Sequence, residues 1–148
     1  MTDLQRAKWN RRFIDLAYHV AEWSRDPSTK VGAVITDGAK RVIGMGFNGF
    51  PAGVEDTDAR YEERSVKYKL IVHAEANAIM HSGVRVNGGW LFTTMFPCTD
   101  CTKLIIQSGI IAVVTPKPRD DLWGIDAEFS SQMLFEAAIK VEYIDARC

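Results

Sequence analysis

Two short strings carry the residues best able to do chemistry: His73-Ala74-Glu75 and, further along, Pro97-Cys98-Thr99-Asp100-Cys101. Together they offer an imidazole, a pair of thiols and a carboxylate. The imidazole and the two thiolates are three ligands that suit zinc, which takes four. Glu75 need not bind the metal, so the fourth position stays open for water, as in a catalytic rather than a structural centre. Zinc held this way lowers the pKa of a bound water from about 15.7 toward roughly 7. Glu75 can then carry protons by cycling between its neutral and ionised forms in one pocket.

Each residue alone has a plainer reading. Cys98 and Cys101 could be small core residues and His73 a hydrogen-bonded buried histidine. Glu75 could be a first-turn acid worth roughly a few tenths of a kcal/mol to its helix. The joint spacing, with Pro97 just ahead of the first cysteine, favours metal. A closed structural site would need a fourth ligand from His19, His81 or Cys148. His81 stands about two helical turns beyond His73, too far along the axis to share one ion. Cys148 is therefore the residue best able to contradict an open site.

The elements that must position these groups follow from hydrophobic spacing. Apolar residues recur at helical intervals between Leu4 and Trp23, and Asp26-Pro27-Ser28 ends that helix. Val31 to Thr36 and Arg41 to Phe47 read as a strand pair across Asp37-Gly38, and Asn48 to Gly53 as a loop. Tyr61 to Lys69 is expected to be helical in part, and His73 to His81 helical throughout. Trp90 to Thr94 is expected as a strand, and Cys98 to Gln107 as a helix opened by Pro97 in its first turn. Both cysteines then lie where the helix dipole favours thiolates, with their sulfurs on one side. Ile110 to Thr115 reads as a β-branched strand, Ala127 to Lys140 as a helix and Val141 to Ile144 as a last strand. Strands alternating with helices argue for an α/β layered domain with a mainly parallel second half.

The 148 residues suffice for one domain with a real core, and no repeat or linker divides them. A formal charge of −1, with basic residues such as Lys67 and Lys69 interleaved with acids, gives no pull toward a polyanion. No stable nucleic-acid partner is expected. No apolar run approaches the roughly 20 residues of a membrane span, and the first residues lack a signal-peptide layout. An odd cysteine count with a C-x-x-C suits metal ligation in a reducing compartment, so a cytoplasmic location is expected.

The H-x-E…P-C-x-x-C pattern resembles that of the cytidine deaminase superfamily. The wider runs His73-Ala74-Glu75-Ala76-Asn77-Ala78-Ile79 and Cys101 to Ile110 are similar to its deoxycytidylate (dCMP) deaminases. So are Asp26-Pro27-Ser28-Thr29-Lys30-Val31-Gly32-Ala33 and Gly46-Phe47-Asn48-Gly49-Phe50-Pro51. The zinc strings identify only the superfamily; the Asn48 loop and Ile105-Ile106-Gln107-Ser108-Gly109 favour the dCMP enzymes.

The resemblance implies a three-layer α/β/α fold, with a five-stranded mixed sheet and helices on both faces. It implies a homo-oligomer, often a hexamer, and zinc on His73, Cys98 and Cys101 with Glu75 moving protons. Asn48 would hydrogen-bond the deoxyribose and Ala74 would lie with the substrate-binding residues. Arg25 and Lys30 would be the phosphate candidates, although polar residues in a turn are usually just solvated. Arg119 and Trp123 could stand in for the tyrosine-containing run of other members, or Trp123 could serve core or interface. No cysteine or histidine lies between Pro51 and Val72, so one zinc per chain is expected. Effector control by dCTP and dTTP, with Mg2+ accompanying the triphosphate, is the regulation the resemblance would carry. The expected reaction is hydrolysis of dCMP to dUMP and ammonia, feeding thymidylate synthesis. Its rivals are deamination of dCTP, a nucleoside, guanine or tRNA adenosine, and a zinc-stabilised binding module without catalysis.

Overall fold

The central strand explains the layering. β1 (Gly32–Thr36) is buried along its whole length, so its alternating side chains feed two cores. Val34 joins Phe92 and Val114 in a cluster with Phe13, Ile14 and Ala17 of helix α1 (Asp3–Ala21). Ala33 and Ile35 join Leu91 and Val113 on the other face. There they meet Ala74 and Ala78 of α4 (Ala74–Ser82), Ile105 of α5 (Thr99–Gln107) and Leu134 of α6 (Asp120–Glu136).

In this computed structural model residues 1–147 are described, apart from the side chains of Val84, Asp120, Asp121, Leu122 and Trp123. The remaining elements are β2 (Val42–Phe47), α2 (Asp58–Glu62), α3 (Arg64–Leu70), β3 (Trp90–Thr93), β4 (Ala112–Thr115) and β5 (Lys140–Tyr143). The sheet order is β2-β1-β3-β4-β5. β1 runs antiparallel to both β2 and β3, whereas β3, β4 and β5 are mutually parallel. This is the five-stranded mixed sheet with helices on both faces that the sequence led us to expect. No helix among the described residues is long and apolar enough to cross a membrane.

Three boundaries differ from the sequence reading, each for a physical reason. Pro97 precedes the cap rather than opening the first turn, because Cys98 is the N-cap of α5 and its sulfur accepts the Cys101 N–H. α6 begins at Asp120 rather than near Ala127 and ends at Glu136. Asp126, which accepts the Thr99 N–H and hydroxyl, ties the part of the helix before Ala127 to the start of α5. The charged segment before His73 splits at Glu63, where an extended backbone (φ −84°, ψ 100°) separates α2 from α3.

Strand β2 positions α4 through what it lacks. A Cβ on Gly46 would stand 2.4 Å from both the Ala74 carbonyl oxygen and the Ala78 nitrogen. One on Gly44 would stand 2.8 Å from the Ala78 carbonyl oxygen. The helix backbone therefore lies directly on the strand, at a distance no side chain would permit. Gly46→Ala should cost about 1–3 kcal/mol, the usual penalty of overpacking. Since α4 carries Glu75 and follows His73, metal occupancy should fall with it; thermal denaturation and metal analysis of one sample check both effects.

Candidate metal centre and active site

Three side chains meet where two helices begin. His73 is the N-cap of α4, with φ −73° and ψ 154°, and makes no side-chain bond to its own helix. Its imidazole is thereby left for other partners. Cys98 occupies the same position on α5, and Cys101 follows in the first turn. The sulfurs of Cys98 and Cys101 lie 3.4 and 3.3 Å from His73 Nδ1. All three ligand atoms fall within 4.8 Å of one another. Ligands of one tetrahedral zinc, at about 2.0–2.1 Å for nitrogen and 2.3 Å for sulfur, stand roughly 3.5–3.8 Å apart. Donor set and spacing fit that ion.

The electrostatics favour an anionic site. The hydrogen bond with Cys101 brings the Cys98 thiol down to about 4, with further help from the His73 ring and against the effect of burial. Cys101 moves the opposite way, pushed up by its hydrogen bond with Cys98 and by burial. Two thiols in contact do not both ionise without a cation between them, which a metal ion held there would supply. The Cys98 sulfur in turn raises the His73 ring above its ordinary value, although burial opposes it. The amide of Cys101, at 3.4 Å from the Cys98 sulfur, adds a donor to the same anion.

Glu75 is only 4 % exposed. Burial pushes its carboxyl above the usual carboxylate range, and its own backbone amide, the His73 charge and a hydrogen bond from Thr93 offset this only in part. The Thr93 hydroxyl lies 3.0 Å from Glu75 Oε1 and 3.1 Å from the Met95 carbonyl oxygen. One hydroxyl hydrogen serves one acceptor at a time. Thr93 can thus donate to an ionised Glu75, or turn to Met95 and accept from a protonated one.

A cavity opens beside the cluster, lined by His73, Glu75 and Cys98. Val31, Ile71, Met95 and Phe96 give it apolar walls, while Asp26, Thr29, Asn48 and Lys67 supply a polar end. Ala74 and Asn48 both line it. The Asn48 amide is heavily committed. Its Oδ1 accepts the Val31 N–H at 2.9 Å, and its Nδ2 donates to the Thr29 carbonyl at 2.8 Å and to Asp26 Oδ2 at 3.3 Å. The capacity left is the second lone pair of Oδ1, which suits a hydroxyl donor.

Arg25 and Lys30 are exposed and do not line the cavity, although their neighbours Asp26, Thr29 and Val31 do. Arg25 lies 4.0 Å from Asp56 and 3.6 Å from Asp58. The Trp123 side chain and Cys148 fall outside the described residues. His19 packs edge-on against Trp23 at 5.7 Å, and His81 Nδ1 lies 3.4 Å from the Met45 carbonyl oxygen. Among the described residues, neither histidine joins the His73 cluster.

Thr93, Lys67, Tyr68 and Asp126 are site residues that the sequence reading missed. Tyr68 lines the cavity and is 66 % exposed, so it stands at the solvent side. Asp126, on α6, accepts the Thr99 N–H at 3.0 Å and the Thr99 hydroxyl at 2.9 Å, fastening the start of α5. None of these lies at a motif spacing from its partner. Only strand alternation, which puts Thr93 at the buried end of β3, offered any signal.

Known proteins resemble this chain in sequence and in fold. The profile of the cytidine and deoxycytidylate deaminase zinc-binding region matches residues 7–117. The chain is 41% identical over 141 residues to an uncharacterized deaminase in the luxG 3′ region of Aliivibrio fischeri, covering 93% of this chain and 95% of that protein. It is 34% identical over 137 residues to the deoxycytidylate deaminase of Homo sapiens, covering 88% and 76% respectively. The dCMP deaminase of cyanophage S-TIM5, solved with dCMP and dUMP, matches with a TM-score of 0.75 at 25% identity, over 97% of this chain and 99% of that one. With that profile matching residues 7–117, most of its length, the chain belongs to the cytidine and deoxycytidylate deaminase family.

Proposed function

We propose that the protein hydrolyses dCMP to dUMP and ammonia, using one zinc on His73, Cys98 and Cys101 and Glu75 as the proton carrier. The observation that carries this reading is the buried Glu75 carboxyl, hydrogen-bonded by Thr93 and lining the same cavity as the ligand cluster. The named activity of its human and phage relatives supports the substrate. When bound, zinc would supply the Lewis acid that makes water nucleophilic near neutral pH.

The chain's own residues do the rest. Glu75 takes a proton from the attacking water as the new C–O bond forms at C4 of cytosine, and delivers it to the ring nitrogen. It then takes the second proton from the new C4 hydroxyl and passes it to the departing amino group, so the C4=O bond forms as the C4–N bond breaks and ammonia leaves. Burial suits this double duty, because it raises the carboxyl above its ordinary range and so strengthens it as a base. Thr93 follows the proton by turning its hydroxyl. The apolar walls of Val31, Ile71 and Phe96 keep bulk water from the ring. Asn48 accepts a deoxyribose hydroxyl and Ala74 contacts the base. Arg25 and Lys30, adjoining lining residues, remain the phosphate candidates, and Trp123 a substrate neighbour.

The finer parts of this reading are a homo-oligomer of hexameric size, dCTP and dTTP effectors with Mg2+, and a cytoplasmic location where the thiols stay reduced. Sedimentation, and rates with and without each effector, test the first two.

Ammonia release from dCMP, dCTP, deoxycytidine, CMP and guanine, with zinc measured on the same sample, tests the whole. dCMP should react fastest, at one zinc per chain; a preference for deoxycytidine would overturn the phosphate requirement. Glu75→Gln should lose about 10²–10⁴-fold in kcat while keeping its zinc. A zinc-loaded variant of wild-type rate would remove Glu75 from the chemistry. Chelation should lower the melting temperature, since a ligand at 1,000 times its Kd adds about 4 kcal/mol to the folded state.

A further inference from the structure

Lys67 is a cation in an unusual place. It sits on α3, in a run of charges that reads as a solvated helix face, yet it is 9% exposed and lines the cavity. Its Nζ lies 2.7 Å from Asp26 Oδ2 and 3.0 Å from the Ser28 hydroxyl. Asp26 is fully buried, at 0% exposure. Its Oδ1 accepts the Ser28 N–H at 2.9 Å, the Ser28 hydroxyl at 3.1 Å and the Thr29 N–H at 3.2 Å, while Oδ2 also accepts from Asn48.

We propose that the Lys67–Asp26 ion pair is a positioning device for substrate, which holds Asn48 and the turn at residues 26–31 in register with the wall that leads to His73. The kinetic part of this proposal rests on the dCMP reading above; the structural part does not.

The pair joins three chain segments that each contribute to the cavity: the turn after α1, the loop after β2, and α3 with the residues that follow it. Gly49 and Val72 exchange backbone hydrogen bonds of 3.1 and 2.8 Å, so the Asn48 loop is already tied to the residue before His73. Lys67–Asp26 makes a second tie, through side chains. Desolvating two charges costs several kcal/mol per ion and is recovered only with good geometry and full hydrogen bonding. Asp26 has both. Burial pushes its carboxyl up, but the Lys67 contact and the amides of Ser28 and Thr29 bring it below the ordinary range.

Loss of Lys67 would leave a buried carboxylate without its counter-charge. Protonation would then relieve the charge and make Asp26 a donor as well as an acceptor. Its hydrogen bond from Asn48 Nδ2 would weaken, and with it the restraint that keeps Oδ1 on the Val31 amide. Asn48 is the residue whose remaining lone pair meets the sugar, so the effect should fall on substrate binding rather than on the proton transfer at Glu75.

The test uses the full chain carrying zinc, with Lys67→Met, which removes the charge and keeps the stem, and Lys67→Arg, which keeps the charge. The readouts are KM and kcat for dCMP, zinc content, and the NMR signals of the Asn48 side-chain amide. Lys67→Met should raise KM at least about tenfold, as expected for one lost well-placed polar contact. kcat should stay within about threefold, zinc should be unchanged, and the Asn48 signals should shift; Lys67→Arg should recover most of the KM. An unchanged KM with unmoved Asn48 signals would overturn the proposal. So would a fall in kcat accompanied by zinc loss, since the pair would then serve the fold alone. Should Lys67→Met not fold, Asp26→Asn/Lys67→Met removes both charges together and is read in the same way; collapse of that variant also overturns the proposal. If the wild-type protein releases no ammonia from dCMP, the functional reading fails by itself. The Asn48 signals and the binding of dUMP to wild type and Lys67→Met then decide the positioning role.

Discussion

The site depends first on how closely α4 lies against β2. Gly44 and Gly46 present bare backbone to Ala74, Ala78 and Ser82, and that absence sets the depth at which the helix docks. His73 caps the helix and Glu75 occupies its first turn, so both inherit their positions from a strand to which neither is hydrogen-bonded. A helix held by backbone contact has little freedom to slide or roll. The carboxylate at its base is thereby presented to Thr93 and to the cavity with one orientation.

Two helix starts converging on one point create a local surplus of unpaired amide donors. The sequence answers that surplus with sulfur. Cys98 takes the capping role that serine, threonine or aspartate fills elsewhere, and the same sulfur is a ligand in the cluster. Capping and metal binding want the same charge state, so they reinforce each other. The three ligands lie close together, so two thiolates there repel each other unless a cation stands between them. A divalent cation relieves that repulsion and leaves both sulfurs anionic.

Legibility in the sequence follows from how local each arrangement is. Cys98 and Cys101 could be read because helix geometry puts residues three apart on one side, and His73 and Glu75 because they form one short string beside that pair. The hairpin across Asp37-Gly38 could be read for a similar reason: Asp37 accepts the Ala39 and Arg41 amides at 2.9 Å, all within one turn. Thr93 and Glu75 are separated by 18 positions, and Thr99 and Asp126 by 27, so only the folded sheet brings each pair together. Lys67 was misleading in a different way. Its neighbours Arg64 and Lys69 are surface cations, and nothing in such a run marks the one that turns inward. Arg25 and Lys30 drew attention by their charge and their place beside the first strand, yet the residues between and around them line the cavity instead. The start of α6 was hidden because Asp126, which ties that part of the helix to Thr99, meets its partner only in the folded chain.

The Asp126–Thr99 clasp bears on the order in which the protein is made. All three ligands are synthesised before Asp126, but the turn that carries two of them is fastened only when α6 docks against α5. A nascent chain arrested between those points exposes paired thiols on an unclamped helix start. Vectorial synthesis thus separates the arrival of the ligands from the arrival of the residue that fastens the Thr99 turn between the two cysteines.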